Sequence, residues 1–272
     1  MKKLLPIYLI LSVLFFSCVQ EQEQEDAGFK IEDNTAYIEW TGDNAVANEL
    51  VFHGMRHYNN IEWGRAYAFF EKSLEYDSTL FASHNMLAFL SKQGWKRDGH
   101  VEKAKRFVEG KNESSNLFVS IHDIPRDSNF QISRHKVWEK MHEVTPEGSF
   151  IHFWYAFTKP TVDEKIAEME VVLEKFKNAE SPYEHVLNAL GYMYYNKGDK
   201  EKSKSLFEEY VDMYPSANSY DSMAEYYLKE DSLQLAVKYY TMATEYYPFF
   251  LNANNKLREI REMRVKSRDS EK

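Results

Sequence analysis

Two neighbouring stretches of this chain, Glu184–Pro215 (EHVLNALGYMYYNKGDKEKSKSLFEEYVDMYP) and Ala217–Pro248 (ANSYDSMAEYYLKEDSLQLAVKYYTMATEYYP), superimpose at an offset of 33 residues. Leu187, Leu190, Gly191, Tyr194, Ser203, Phe207 and Pro215 fall on Tyr220, Met223, Ala224, Tyr227, Ala236, Tyr240 and Pro248. The bulky residues recur at three- and four-residue spacing, the period of an amphipathic helix. Gly198-Asp199 and Glu230-Asp231-Ser232 break that period midway. Pro215 and Pro248 end it, because proline lacks a backbone N–H and restricts the residue before it. Each unit therefore reads as two short antiparallel helices. Gly191 and Ala224 on the first helix, and Ser203 and Ala236 on the second, are small where the helices cross closely. One unit cannot bury its own apolar face, so the units stack and each leans on its neighbours.

This spacing resembles the tetratricopeptide repeat, in which an aromatic, a Leu-Gly pair, a Tyr, an Ala, a Phe and a closing Pro recur along a helix-turn-helix. The resemblance implies an all-α fold: a right-handed α-solenoid of tetratricopeptide-type hairpins with a C-terminal capping helix. Other parts of the chain fit the template less closely. At 47–78, Leu50, His53, Gly54, His57, Ala66 and Phe70 fill the same slots, with Asn59-Asn60 at the turn. At 81–112, Leu87, Ala88, Ser91 and Ala104 do so more loosely, and the turn at 93–100 carries four extra residues. Trp95 in that turn is either a lid on the neighbouring core or an exposed aromatic, and the lid is the preferred reading. Residues 113–148 do not fit; they are a degenerate helical pair or an insertion, with a helix over 130–144. Residues 149–179 are repeat-like again. Ser181-Pro182-Tyr183-Glu184 reads as a helix start with Ser181 as its cap. The expected organisation is a signal at 1–17, an acidic tether and lead-in at 18–44, a repeat domain at 45–250, and a capping helix with a polar tail at 251–272. The lead-in around Tyr37, Ile38 and Trp40 is a short helix or a segment lying on the first repeat.

The beginning of the chain carries a different message. Lys2 and Lys3 precede the apolar run 4–16, which is too short for a permanent membrane span and reads as a secretory signal. Ser17-Cys18 follows, and Cys18 is the single cysteine of the chain. This arrangement resembles a bacterial lipoprotein signal, in which the Cys becomes the lipidated first residue of the mature protein. The family favours Leu three residues before the Cys; here Phe15 stands there. The acidic run at 19–26 reads as a solvated tether, and it resembles the surface-export signal of Bacteroidota-like bacteria. The formal net charge is −9 and becomes −11 without Lys2 and Lys3. So acidic a chain is a poor ligand for nucleic acid or for anionic lipid. With Cys18 acylated, no thiol remains for a disulfide.

No catalytic constellation is evident. There is no Gly-rich phosphate loop, no G-x-S-x-G, no H-E-x-x-H and no spare cysteine. His53 and His57 lie four apart on a helix, but in slots used for packing. His135 and His142 lie seven apart and read as half-buried or solvated. We expect no metal, no cofactor and no enzymatic activity. In the tetratricopeptide family the first helix of each pair lines a concave groove, with ligand-facing residues between the packing ones. By that resemblance the groove is lined by His185, Asn188, Tyr192, Tyr195 and Asn196, then by Asp221 and Glu225, and by Tyr58 in the first repeat. Tyr, Asn and acidic side chains suit an extended peptide. The segment 217–227 also resembles an "aN-x-YDS-x-x-E" repeat of bacterial tetratricopeptide proteins, with Asp221 and Ser222 near a helix start, where capping would explain them equally well. The expectation is a lipid-anchored cell-envelope protein, periplasmic or surface-exposed, that binds a protein or peptide partner without chemistry of its own. The alternative is a lipoprotein that captures a glycan or small molecule for an outer-membrane transporter.

Overall fold

The computed structural model describes residues 37–270, with side chains to residue 263. Cys18 and the stretch 1–36 lie outside the described residues. Thirteen α-helices and one short 3-10 turn follow an extended lead-in, and no strand occurs among the described residues. The first hairpin is α1 (Ala45–Asn59) with α2 (Trp63–Tyr76), and the second is α3 (Phe81–Leu90) with α4 (Gly94–Phe107). The third is α5 (Glu113–Ser120) with α6 (Phe130–Val144), and the fourth is α7 (Ser149–Thr158) with α8 (Val162–Asn178). The fifth is α9 (Glu184–Lys197) with α10 (Lys200–Met213), and the sixth is α11 (Ala217–Lys229) with α12 (Leu233–Tyr246). Helix α13 (Leu251–Ser270) follows, and its Ala253 and Ile260 are buried against α12.

Small residues on the first helix of a pair meet large ones on the second. A Cβ on Gly54 would stand 2.7 Å from the Phe70 ring, and one on Gly191 would stand 2.6 Å from Phe207. These positions need glycine for close approach rather than for backbone freedom. Freedom is needed at Gly198, which ends α9 at φ 96° and lets α10 fold back after two residues. Helix α10 then starts on the side chain of Asp199, which accepts from the backbone N–H of Lys202. Both α10 and α12 stop just before Pro215 and Pro248.

Several expectations need correction. The extra residues after Ser91 do not form a loop: α4 begins at Gly94, so they add a turn to the helix. Trp95 lies on that added turn and is 74% exposed, so it covers no core. Ser181 does not cap α9, which starts at Glu184 without a side-chain cap. Helix α11 is capped not by Asp221 or Ser222 but by Ser216 and Ser219, in a reciprocal capping box. Residues 113–148 are a helical pair with a long connection, in which the 3-10 turn at Ile121–Asp123 follows α5 directly.

The lead-in is an extended segment rather than a helix. Trp40 is buried, edge-on to Phe118 of α5 at 5.5 Å ring spacing and to Phe150 of α7 at 5.1 Å. Its backbone is held as well. The N–H of Glu39 donates to the Ser115 hydroxyl at 2.9 Å, and the Asn112 side chain donates to the carbonyl of Tyr37. The Glu39 carboxylate accepts from the Asn112 N–H at 2.8 Å and pairs with Lys111. The segment thus crosses the N-terminal ends of α5 and α7 and becomes part of the core.

The array also closes on itself. Asn60, at the tip of the first hairpin, is 1% exposed. Its amide donates to Glu184 of α9 at 3.3 Å and its carbonyl oxygen accepts from Tyr210 of α10 at 3.2 Å. Asn218 of α11 donates in turn to the Tyr210 hydroxyl at 3.1 Å. Arg56 lies over the ring of Tyr214, and Arg65 over those of Tyr246 and Tyr247. The tip of the first hairpin therefore packs on the fifth and sixth. This contact draws Glu184 toward Asn60.

Candidate functional site: the first-helix face of the fifth and sixth hairpins

The residues expected to line a groove sit on the first helices of their hairpins, and the structure divides them by accessibility. His185 is 7% exposed and wedged between Phe153 at 5.0 Å and Phe176 at 5.4 Å. Burial pushes its imidazole down to about 3, so the ring is neutral near pH 7. Asn188 is 3% exposed, and its carbonyl oxygen accepts from the Ser222 hydroxyl at 2.9 Å. Asp221 is 5% exposed and accepts from the Asn252 amide at 2.6 Å. Its other carboxylate oxygen is buried without a partner, and burial raises the group to about 7. Tyr58 is half-buried against Trp154 of α7, and burial raises its phenol to about 12 despite the nearby Arg134 guanidinium.

The remaining four residues, like Tyr58, are at least partly exposed. Tyr192, Tyr195 and Glu225 are half-buried, and Asn196 is exposed. Tyr192 donates to the Glu225 carboxylate at 2.8 Å, and Tyr195 donates to Glu230 at 2.8 Å. Burial and the Glu225 charge hold the Tyr192 phenol well above its ordinary value. The Lys229 ammonium stands 5.4 Å from the centre of the Tyr192 ring and 5.0 Å from that of Tyr195, and it pairs with Glu225.

Four of these contacts link each hairpin to the next element at a similar sequence step: Tyr192 to Glu225, Tyr195 to Glu230, Ser222 to Asn188, and Asn252 to Asp221. A repeat lays equivalent side chains side by side, so matching positions of successive units become hydrogen-bonding partners. The arrangement can bind through amide, phenol and carboxylate groups. His53 and His57 stack on Phe69 at 5.3 and 5.2 Å, and His57 also contacts the Glu62 carboxylate at 2.5 Å. Sequence reasoning passed over His152 and Glu168, which meet His142 where α6, α7 and α8 pack together. No described helix is long and apolar enough to cross a membrane.

A family model described as "Tetratricopeptide repeat" matches residues 184–216. No curated protein matches the chain. Among solved structures, a chain of the APC/C hetero-tetramer Cut9-Hcn1 is similar with a TM-score of 0.50 at 14% identity, over 79% of this chain and 42% of that one. A tetratricopeptide repeat protein from Parabacteroides merdae has a TM-score of 0.48 at 13% identity, over 79% of this chain and 84% of that one. A thermophilic TPR protein from Thermus thermophilus has a TM-score of 0.41 at 16% identity, over 79% of this chain and 98% of that one. The present chain thus spans less than half the length of the Cut9-Hcn1 chain it matches. This all-helical protein has the fold of a tetratricopeptide array, and its residues 184–216 match the tetratricopeptide repeat model.

Proposed function

We propose that this protein is a lipid-anchored, non-catalytic adaptor of the bacterial cell envelope that holds a protein or peptide partner. The observation that carries the partner reading is the solvent-facing row Tyr192, Tyr195, Asn196 and Glu225, with Lys229 over both tyrosines. Phenol, amide and carboxylate groups in a row match the alternating backbone and side-chain groups of an extended peptide. Aromatic side chains are also the residues that most often anchor a protein interface. The anchor reading rests on Lys2, Lys3, the apolar run 4–16 and Cys18. A diacylglycerol and an amide-linked chain on that residue would together hold the protein stably at a membrane. The acidic run after Cys18 resembles a surface-export signal and supports an outer-surface position.

Crosslinking in intact cells tests both parts. The wild-type chain should capture one envelope protein stoichiometrically. Asn196→Arg, a change at an exposed position, should reduce that capture at least about tenfold without altering helical content. Cys18→Ala should release the chain from the membrane fraction. Capture by the wild type and Asn196→Arg alike would move the partner away from this face. Absence of any protein partner, with retention of a glycan, would favour the ligand-capturing alternative.

A further inference from the structure

We propose that His142, His152 and Glu168 form a site for one divalent transition-metal ion of the zinc type. Each ligand comes from a different, consecutive helix: α6, α7 and α8. One ligand atom from each lies within 4.8 Å of the other two. Imidazole nitrogen with carboxylate oxygen is a donor set that zinc favours, and sites with three protein ligands leave a fourth position to water. His142 and Glu168 are half-exposed, so the cluster has a solvent side for that position.

Packing does not account for these side chains. His152 lies four residues before the buried Ala156, as Leu187 lies before Gly191 and Tyr220 before Ala224. The fifth and sixth hairpins fill this position with carbon-rich side chains. His152 is 5% exposed, and its Nε2 meets Glu168 at 2.7 Å. Its Nδ1 is buried with no hydrogen-bond partner, and so is the Nδ1 of His142. Orphaned polar atoms of this kind are rare in folded proteins and ask for an explanation. The second hairpin offers a contrast. His84 occupies the matching position before Ala88, and both of its nitrogens are engaged, by His100 at 3.0 Å and by the carbonyl of Ser78 at 3.1 Å. Of these two hairpins, the fourth alone leaves a buried imidazole nitrogen without a hydrogen-bond partner, the Nδ1 of His152.

The surroundings fit a cation. The two imidazoles stack at 4.5 Å, and Tyr155 stacks on His142 at 4.5 Å, which confines its ring. The nearest lysines are occupied elsewhere: Lys175 by Glu147 at 3.0 Å and the carbonyl of Pro146 at 3.1 Å, and Lys159 by the Tyr155 hydroxyl at 2.5 Å. Tetrahedral zinc holds its ligands at about 2.0–2.2 Å, so two ligand atoms stand about 3.3 Å apart. The His152–Glu168 contact opens by about half an ångström on binding.

Calorimetric titration of Zn²⁺ into the full chain, freed of metal with EDTA, tests the site. The wild type should bind one Zn²⁺ per chain and melt at a higher temperature with it. His152→Leu installs the residue found at the matching position of the fifth hairpin, and Glu168→Gln changes a half-exposed carboxylate. Each should weaken zinc binding at least about tenfold with the helical circular dichroism unchanged. Should His152→Leu fail to fold, Glu168→Gln decides alone. No zinc uptake by the wild type, or equal uptake by the wild type and Glu168→Gln, overturns the proposal.

Discussion

His185 shows how one position changes its meaning with its neighbours. The repeat resemblance implies a groove position for it; here two phenylalanines cover it and push its imidazole down to about 3. Burial lowers His84 and His122 to about 4. An unfolded histidine titrates near 6.5, so between these values the unfolded chain binds more protons than the folded one. The share of stability that depends on these histidines is therefore full above about pH 6.5 and falls as the pH drops. His185→Phe removes its share of that loss. Urea midpoints at pH 7.5 and pH 5.0 should lie closer together in the variant than in the wild type, and an unchanged gap would mean that the ring is solvated in the folded protein. Asp221 works in the opposite sense: with its carboxyl raised to about 7, the folded protein keeps a proton that the unfolded chain releases near 4, so this group's share of stability is lost as the pH rises from about 4 to about 7.

The lead-in segment is the element whose role was hardest to anticipate. It contributes no hydrogen-bonded helix turn, yet Ile38 and Trp40 are 3% and 6% exposed. Its backbone is held by Ser115 and Asn112. The sequence left a helix or a covering segment open here, because three apolar residues within a short stretch satisfy either periodicity. The choice fell to the ring contacts of Trp40 with Phe118 and Phe150, which lie far along the chain on α5 and α7. Trp40→Ala should cost about 3–5 kcal/mol, the usual range for deleting a buried tryptophan. Chemical denaturation measures this directly. A cost below about 1 kcal/mol would place the segment outside the core.

At the scale of the molecule, closure of the array distinguishes this chain from a freely extended stack. Asn60 is bound to Glu184 and Tyr210, residues 124 and 150 positions away. Repeat proteins gain stability chiefly from nearest neighbours, so a contact between the first hairpin and the fifth couples ends that would otherwise unfold independently. Asn60→Ala leaves the buried Glu184 and the Tyr210 hydroxyl short of a partner and should cost about 1–3 kcal/mol. Amide exchange should then accelerate together around 56–65 and around 210–218. Acceleration confined to the first hairpin would show that the closing contact carries no coupling.

The 33-residue spacing by itself determined that helices pair, where they turn, and which residues are small at the crossing. Those properties depend on side-chain size and backbone chemistry within one unit, as at Gly191 against Phe207 and at Gly198, Pro215 and Pro248. Residues 184–216 were readable for the same reason, and 113–148 were not, because a long connection hides the pairing of α5 with α6. Accessibility was a tertiary decision. Whether Asn188 and Asp221 meet a ligand or a neighbouring hairpin depends on the curvature of the stack, which sums many small rotations between units and leaves no local mark in the sequence. The meeting of His142, His152 and Glu168 has the same origin: three ordinary positions on three helices become one cluster only when α6, α7 and α8 are packed together.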